Sequence, residues 1–130
     1  MKVVVRYTDG RLLKGFTCDF FPDKDRFHLY PADKTNGEAI EIFMNSLKSV
    51  FFVRDFLGDG TFDERKVYGE GENPSGHKVK VTFVDDEVMI GSTMGYDPNR
   101  PGFFLLPADP GSNNIKTYIL SSAVKKIHFI

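Results

Sequence analysis

Apolar and polar residues alternate from the start of the chain. Val3, Val5 and Tyr7 share one parity, and Val4, Arg6 and Thr8 the other. A period of two is the signature of a pleated strand, whose successive side chains point to opposite faces. The pattern stops at Asp9-Gly10, where glycine can supply the positive φ of a tight hairpin. A second strand is expected over Leu12–Phe16, and Gly15 inside it marks the sharp bend or bulge that closing a small barrel requires. After a loop, residues 27–30 read as a third strand ending at Pro31, because proline cannot donate to a ladder and Asp33 favours a turn. Residues 39–44 and 50–53, separated by a turn around Asn45-Ser46, complete a set of five short strands.

The same grammar returns 76 positions later. Val3 pairs with Val79, Val5 with Val81, Asp9 with Asp85, Gly15 with Gly91, Thr17 with Thr93, Pro22 with Pro98 and Phe27 with Phe103, without a gap. Pro31-Ala32-Asp33 recurs unchanged as Pro107-Ala108-Asp109, and after a one-residue shift residues 47–53 match residues 124–130. Matches this frequent at a constant offset identify an internal repeat. The expected fold class is therefore all-β: two tandem five-stranded antiparallel barrels from an internal duplication, residues 1–53 forming the first and 78–130 the second. Closure is an economical way for so few residues to bury their apolar faces and protect their edges. Residues 54–77, rich in glycine and mixed charge, read as a solvated linker, with Phe56 and Leu57 at its start packing between the barrels. In the second copy Asp85-Asp86 replaces Asp9-Gly10, a weaker turn because aspartate tolerates positive φ at some cost.

The alternating strand, the Asp9-Gly10 turn, Gly15, the apolar run at 27–30 and the closing residues 48–52 together resemble the small five-stranded SH3-like and Sm-like barrels. For Sm-like proteins the resemblance implies an Asp-containing loop whose Asn helps to hold an RNA base. That loop's pattern of Asp, three residues, then Asn is absent here. Residues 47–56, which read Leu-Lys-Ser-Val-Phe-Phe-Val-Arg-Asp-Phe, are similar to the ending of an uncharacterised bacterial domain family found alone or attached to PilZ and other signalling modules. This similarity implies a cytoplasmic bacterial protein with a regulatory role. The cyclic-dinucleotide signature of PilZ domains does not occur in the chain.

Composition narrows the function classes further. The chain carries 17 Lys and Arg against 18 Asp and Glu, a net charge of -1. It lacks the basic excess that nucleic-acid or membrane-surface binding usually needs. The lone Cys18 rules out an internal disulfide, suits a reducing compartment and reads as a small residue packed on a strand. The first five residues run into Arg6 without signal-peptide character, and no apolar run approaches the roughly 20 residues that span a bilayer. His28, His77 and His128 lack metal-site spacing, and residues 55–66 resemble a calcium loop only superficially, since Leu57 and Lys66 occupy ligand positions. No glycine-rich phosphate cradle is present. No catalytic residue, metal or cofactor is expected, and the chain is not read as an enzyme.

The best candidate site is the loop over residues 94–102. Two prolines stiffen it, while Tyr96, Asp97, Asn99 and Arg100 offer an aromatic face, an acceptor, an amide and a forked donor. The structural alternative is that Arg100 pairs with Asp97 and Tyr96 caps the barrel. Its counterpart at 19–26 is acidic and looks more exposed, so the copies differ most where a barrel presents its loops. With the corner at Arg54 and Asp55, the loop points to a non-catalytic module that contacts a protein partner or a small anionic ligand. The alternative is single-stranded nucleic-acid binding of the Sm-like type, with Phe20, Phe21 and Tyr96 as stacking platforms.

Overall fold

The computed structural model describes residues 1–33, 37–56, 68 and 76–130. The first half contains β1 (Lys2–Tyr7), β2 (Leu12–Phe16), β3 (Arg26–Pro31), β4 (Ile40–Phe43) and β5 (Leu47–Val53). The second contains β6 (His77–Phe83), β7 (Val88–Thr93), β8 (Gly102–Pro107), β9 (Asn114–Leu120) and β10 (Val124–Phe129). A single turn of 3-10 helix, Met44–Ser46 or Ser121–Ala123, separates the last two strands of each half. The protein is all-β. Among the described residues no helix is long and apolar enough to cross a membrane.

The strands form one open antiparallel sheet in the order β10-β6-β7-β8-β9-β5-β1-β2-β3-β4. Each half has the same internal order, with its last strand beside its first. The register repeats as well. Val3 faces Gly15 and Phe52, and Val79 faces Gly91 and Phe129; Phe27 faces Ile42, and Phe103 faces Ile119. Even the irregularity between β1 and β5 at Arg6/Tyr7 recurs between β6 and β10 at Val124/Lys126. The two halves do not stand apart as separately closed units, because β5 pairs with β9 and fuses them into one sheet.

Local sequence accounts for the strand ends. β3 and β8 both stop at the proline of Pro-Ala-Asp, as expected. Gly10 sits at φ 93°, and Asp86 takes φ 70° in the corresponding turn, the only non-glycine residue with positive φ among those described. At Gly15 and Gly91 the neighbouring strand runs too close for a side chain: a Cβ would collide with the carbonyl oxygen of Tyr30 or of Leu106. These glycines let β2 and β7 bend across β3 and β8.

Two apolar cores lie along the sheet. The first gathers Val3, Val5, Phe27, Leu29, Ile42, Leu47 and Val50, and the second Val79, Val81, Phe83, Phe103, Leu105 and Ile119. The first also takes Tyr118 and Leu120 from β9, with Phe104 packed against it, so the second half completes the core of the first.

Several expectations change. β5 begins at Leu47 rather than at 50, because it lies between β1 and β9 and even Lys48 and Ser49 are buried in it. Cys18 is exposed beyond the end of β2, not packed on a strand. Phe20, in the loop expected to be exposed, is buried, while its neighbour Phe21 is exposed. Phe56 sets its ring edge-on to Phe16 of the first half, at 5.2 Å. Leu57 and most of the 54–77 segment, including nearly all of the calcium-loop-like stretch, lie outside the described residues.

Candidate functional site

A concave cleft lies where the halves meet. Its walls are matching pieces of the two halves: Phe43, Met44 and Asn45 from the end of β4 and its 3-10 turn, and Leu120, Ser121 and Ser122 from the end of β9 and its turn. The β2–β3 loop adds Pro22, Asp23, Lys24 and Asp25, and the β7–β8 loop adds Pro101. The cleft encloses about 430 Å³, within the range of pockets that hold small ligands or a few peptide side chains.

Backbone bonds fix these walls. The Met44 amide donates to the Asp25 carbonyl at 2.9 Å, tying the loop to the first 3-10 turn. The Ser121 amide donates to the Pro101 carbonyl at 2.9 Å, and its hydroxyl donates to the Arg100 carbonyl at 3.0 Å, tying the second loop to the second turn. Pro22, Phe43, Met44, Pro101 and Leu120 supply apolar surface. The Asp25 carboxylate is bonded by the Arg26 guanidinium, which holds its pKa below the usual value. The side chains of Asp23, Lys24, Asn45 and Ser122 form no hydrogen bond or ion pair among the described residues, and the Lys24 charge adds a small part to the lowering at Asp25. They offer a carboxylate, an ammonium, an amide and a hydroxyl at the rim of an apolar cleft.

A second cluster locks the halves together. Lys48 on β5 is buried, and its Nζ donates to Asp85 Oδ2 at 2.7 Å and to Glu87 Oε1. It also stands 4.6 Å from the Phe83 ring centre. Arg6 on β1 donates to Glu87 at 3.0 Å. The Lys48 bond lowers the pKa of Asp85. Burial pushes the Glu87 carboxyl up, but the bonds and charges of Lys48 and Arg6 outweigh it, so its pKa is also lowered. Among the described residues no cluster of three or more His, Cys, Asp or Glu side chains is arranged to hold a metal ion.

The residues singled out from sequence fall into two groups. In the β7–β8 loop, Tyr96 rests edge-on against Phe103 at 5.1 Å and tilted against Phe129 at 6.3 Å. Asp97 takes the Asn99 amide at 2.9 Å in a local turn, and Arg100 approaches Asp97 at only 3.9 Å. These contacts set Tyr96 against the second core and the Asp97 carboxylate within its own loop. Arg54 and Asp55 clasp the β8–β9 turn instead. Arg54 Nε donates to the Ser112 carbonyl at 3.1 Å, and Asp55 and Asn113 exchange bonds of 2.9 and 2.8 Å. The cleft draws on Pro101, beside the chosen loop, and on the Pro22 loop of the other copy. What sequence reasoning missed is the pair of 3-10 turns, because a cleft between two non-adjacent segments leaves no local pattern. The signal that was available is that residues 43–45 and 120–122 are equivalent in the repeat.

In comparison with known proteins, a family model described as a family of unknown function matches residues 1–130. No curated protein and no solved structure matches the chain.

Proposed function

The chain belongs to the family of unknown function DUF6982, and from that premise we propose that it is an internally duplicated pair of small SH3-like or Sm-like barrels acting as a non-catalytic interaction module. The repeated registers and the two cores support the duplication. A cytoplasmic regulatory role in a bacterium rests on the similarity of residues 47–56 to signalling-associated domains.

The observation that carries the binding role is the junction cleft, where apolar walls meet polar rim groups that form no hydrogen bond or ion pair among the described residues. A protein partner suits it better than a small anion, because Asp23 and Asp25 flank Lys24 at the rim. The proposed occupant is a short peptide segment that seats an aliphatic or aromatic side chain on Phe43, Met44 and Leu120 and places a neighbouring basic group near Asp23. The stiff loop ends at Pro22 and Pro101 lower the entropy lost on binding. The loop over residues 94–102 then takes part through Pro101 more than through Arg100, whose side chain is largely exposed.

A two-dimensional NMR titration tests this reading. The probes are capped tetrapeptides pairing an aliphatic or aromatic residue with Lys or Arg. The expected result is a set of amide shifts centred on Lys24, Asn45 and Ser122. Shifts confined to residues 96–100, or none with any of these peptides, would remove the cleft from the account.

A further inference from the structure

The strands that join the halves have counterparts at the two ends of the sheet. At an offset of 77 positions β5 corresponds to β10 and β9 to β4. β5 and β9 pair in the middle of the sheet, whereas β10 and β4 are its outermost strands, each with one hydrogen-bonding edge unpaired among the described residues. We infer that the protein associates head to tail with a second copy of itself, the free edge of β10 pairing with the free edge of β4 in the register that β5 and β9 already use. Val50 opposite Tyr118 then translates to Ile127 opposite Glu41 of the second copy.

The aromatic packing is the first support. Phe20 contacts Phe27 and Phe52 of its own half at 5.1 and 5.2 Å, and Tyr118 and Phe104 from across the junction at 5.4 and 6.5 Å. Its counterpart Tyr96 has the two equivalent contacts within its own half, to Phe103 and Phe129. The positions equivalent to Phe104 and Tyr118 are His28 and Glu41, which a second copy would bring to it. Phe52 and Leu120 are 4% and 3% exposed at the internal junction, whereas their counterparts Phe129 and Phe43 are 54% and 42% exposed at the free ends. The same positions are covered where the sheet continues and bare where it stops; Phe43 also walls the junction cleft, so a second copy seated on β4 and a peptide in the cleft compete for it.

Charge supplies the second support. β6 and β10 carry Lys78, Lys80, Lys125 and Lys126 and no acidic residue. The opposite end of the sheet, β3 and β4 with the β2–β3 loop, carries Asp19, Asp23, Asp25 and Glu41 against Lys24 and Arg26. Lysines on an edge strand discourage indiscriminate pairing, and here they favour an acidic partner edge. Two different edges make the contact heterologous, so it propagates or closes into a ring.

Two single-cysteine variants test the inference, both in a Cys18→Ser background: Glu41→Cys and Ile127→Cys. Mixed and oxidised in air, they should give several-fold more disulfide-linked dimer than either alone. The wild type should sediment faster as its concentration rises and slower at high salt, which screens the opposed charges. Lys126→Glu, a change at an exposed side chain, should weaken the association without altering the far-ultraviolet spectrum. Equal cross-linking by a single variant, or a wild type that stays monomeric at every concentration and salt, would overturn the inference. So would a monomer that uses the same lysines only to retain a single-stranded oligonucleotide.

Discussion

A single position shows most plainly how the two halves differ in environment. Gly102 on β8 leaves no room for a side chain: a Cβ would lie 2.5 Å from both the Ile119 carbonyl oxygen and the Tyr118 ring. The equivalent residue in the first half is Arg26, exposed, because there β4 brings Glu41 rather than a buried tyrosine alongside. Gly102→Ala should therefore cost about 1–3 kcal/mol, as overpacking in a well-filled site does, read as a lower urea midpoint. Asp86 works in the other direction. It holds φ 70° without glycine's freedom, so Asp86→Gly should stabilise the protein by about 1 kcal/mol, the scale of the left-handed penalty for a residue with a Cβ. A midpoint unchanged or lowered by Asp86→Gly would mean that the Asp86 side chain contributes more than its strain costs. Lys125, at 3.1 Å, is a charged neighbour in a position to support it.

Among the elements, the alternation of Val3, Val5 and Tyr7 and the prolines of Pro-Ala-Asp made the strands legible, because both act within a few residues. The β2–β3 loop was not legible. Its acidic residues suggested exposure, yet Phe20 within it is 7% exposed and meets the rings of Phe27, Phe52, Phe104 and Tyr118. The clue lay in the repeat, which sets Phe20 against Tyr96, an aromatic in both copies. Phe20→Ala should cost about 3–5 kcal/mol, the range for a buried phenylalanine. Tyr96→Ala should cost clearly less in a monomer, since among the described residues Tyr96 has two aromatic neighbours where Phe20 has four. Equal losses in urea unfolding would contradict this ranking.

The fusion of the halves belongs to the whole molecule, and no local pattern announced it. Lys48 and Ser49 look like an exposed strand start, but between β1 and β9 they are buried, and Lys48 finds its partners on the β6–β7 turn. Contacts between residues this far apart in sequence leave no periodicity to read. Their electrostatics give a pH dependence whose sign is fixed. Asp85 and Glu87 have lowered pKa values in the folded protein. Their contribution is therefore present above the ordinary carboxylate range and is lost as pH falls through the lowered values. Lys48→Met removes the partner that the two carboxylates share and leaves Glu87 with Arg6. It should flatten the acid limb of a stability-against-pH curve and cost about 1.5–3 kcal/mol at neutral pH, the range for hydrogen bonds to charged groups. An acid limb as steep as that of the wild type would place the acid sensitivity elsewhere.

The same fusion creates the cleft between the paired 3-10 turns, where the partner is proposed to bind. Isothermal titration with the best-binding tetrapeptide tests it most directly, comparing the wild type with Ser122→Trp, which fills the cleft from an exposed position, and with Arg100→Ala. Binding lost in Ser122→Trp and unchanged in Arg100→Ala is the predicted result. Binding kept in Ser122→Trp and lost in Arg100→Ala would contradict it and return the site to the loop over residues 94–102.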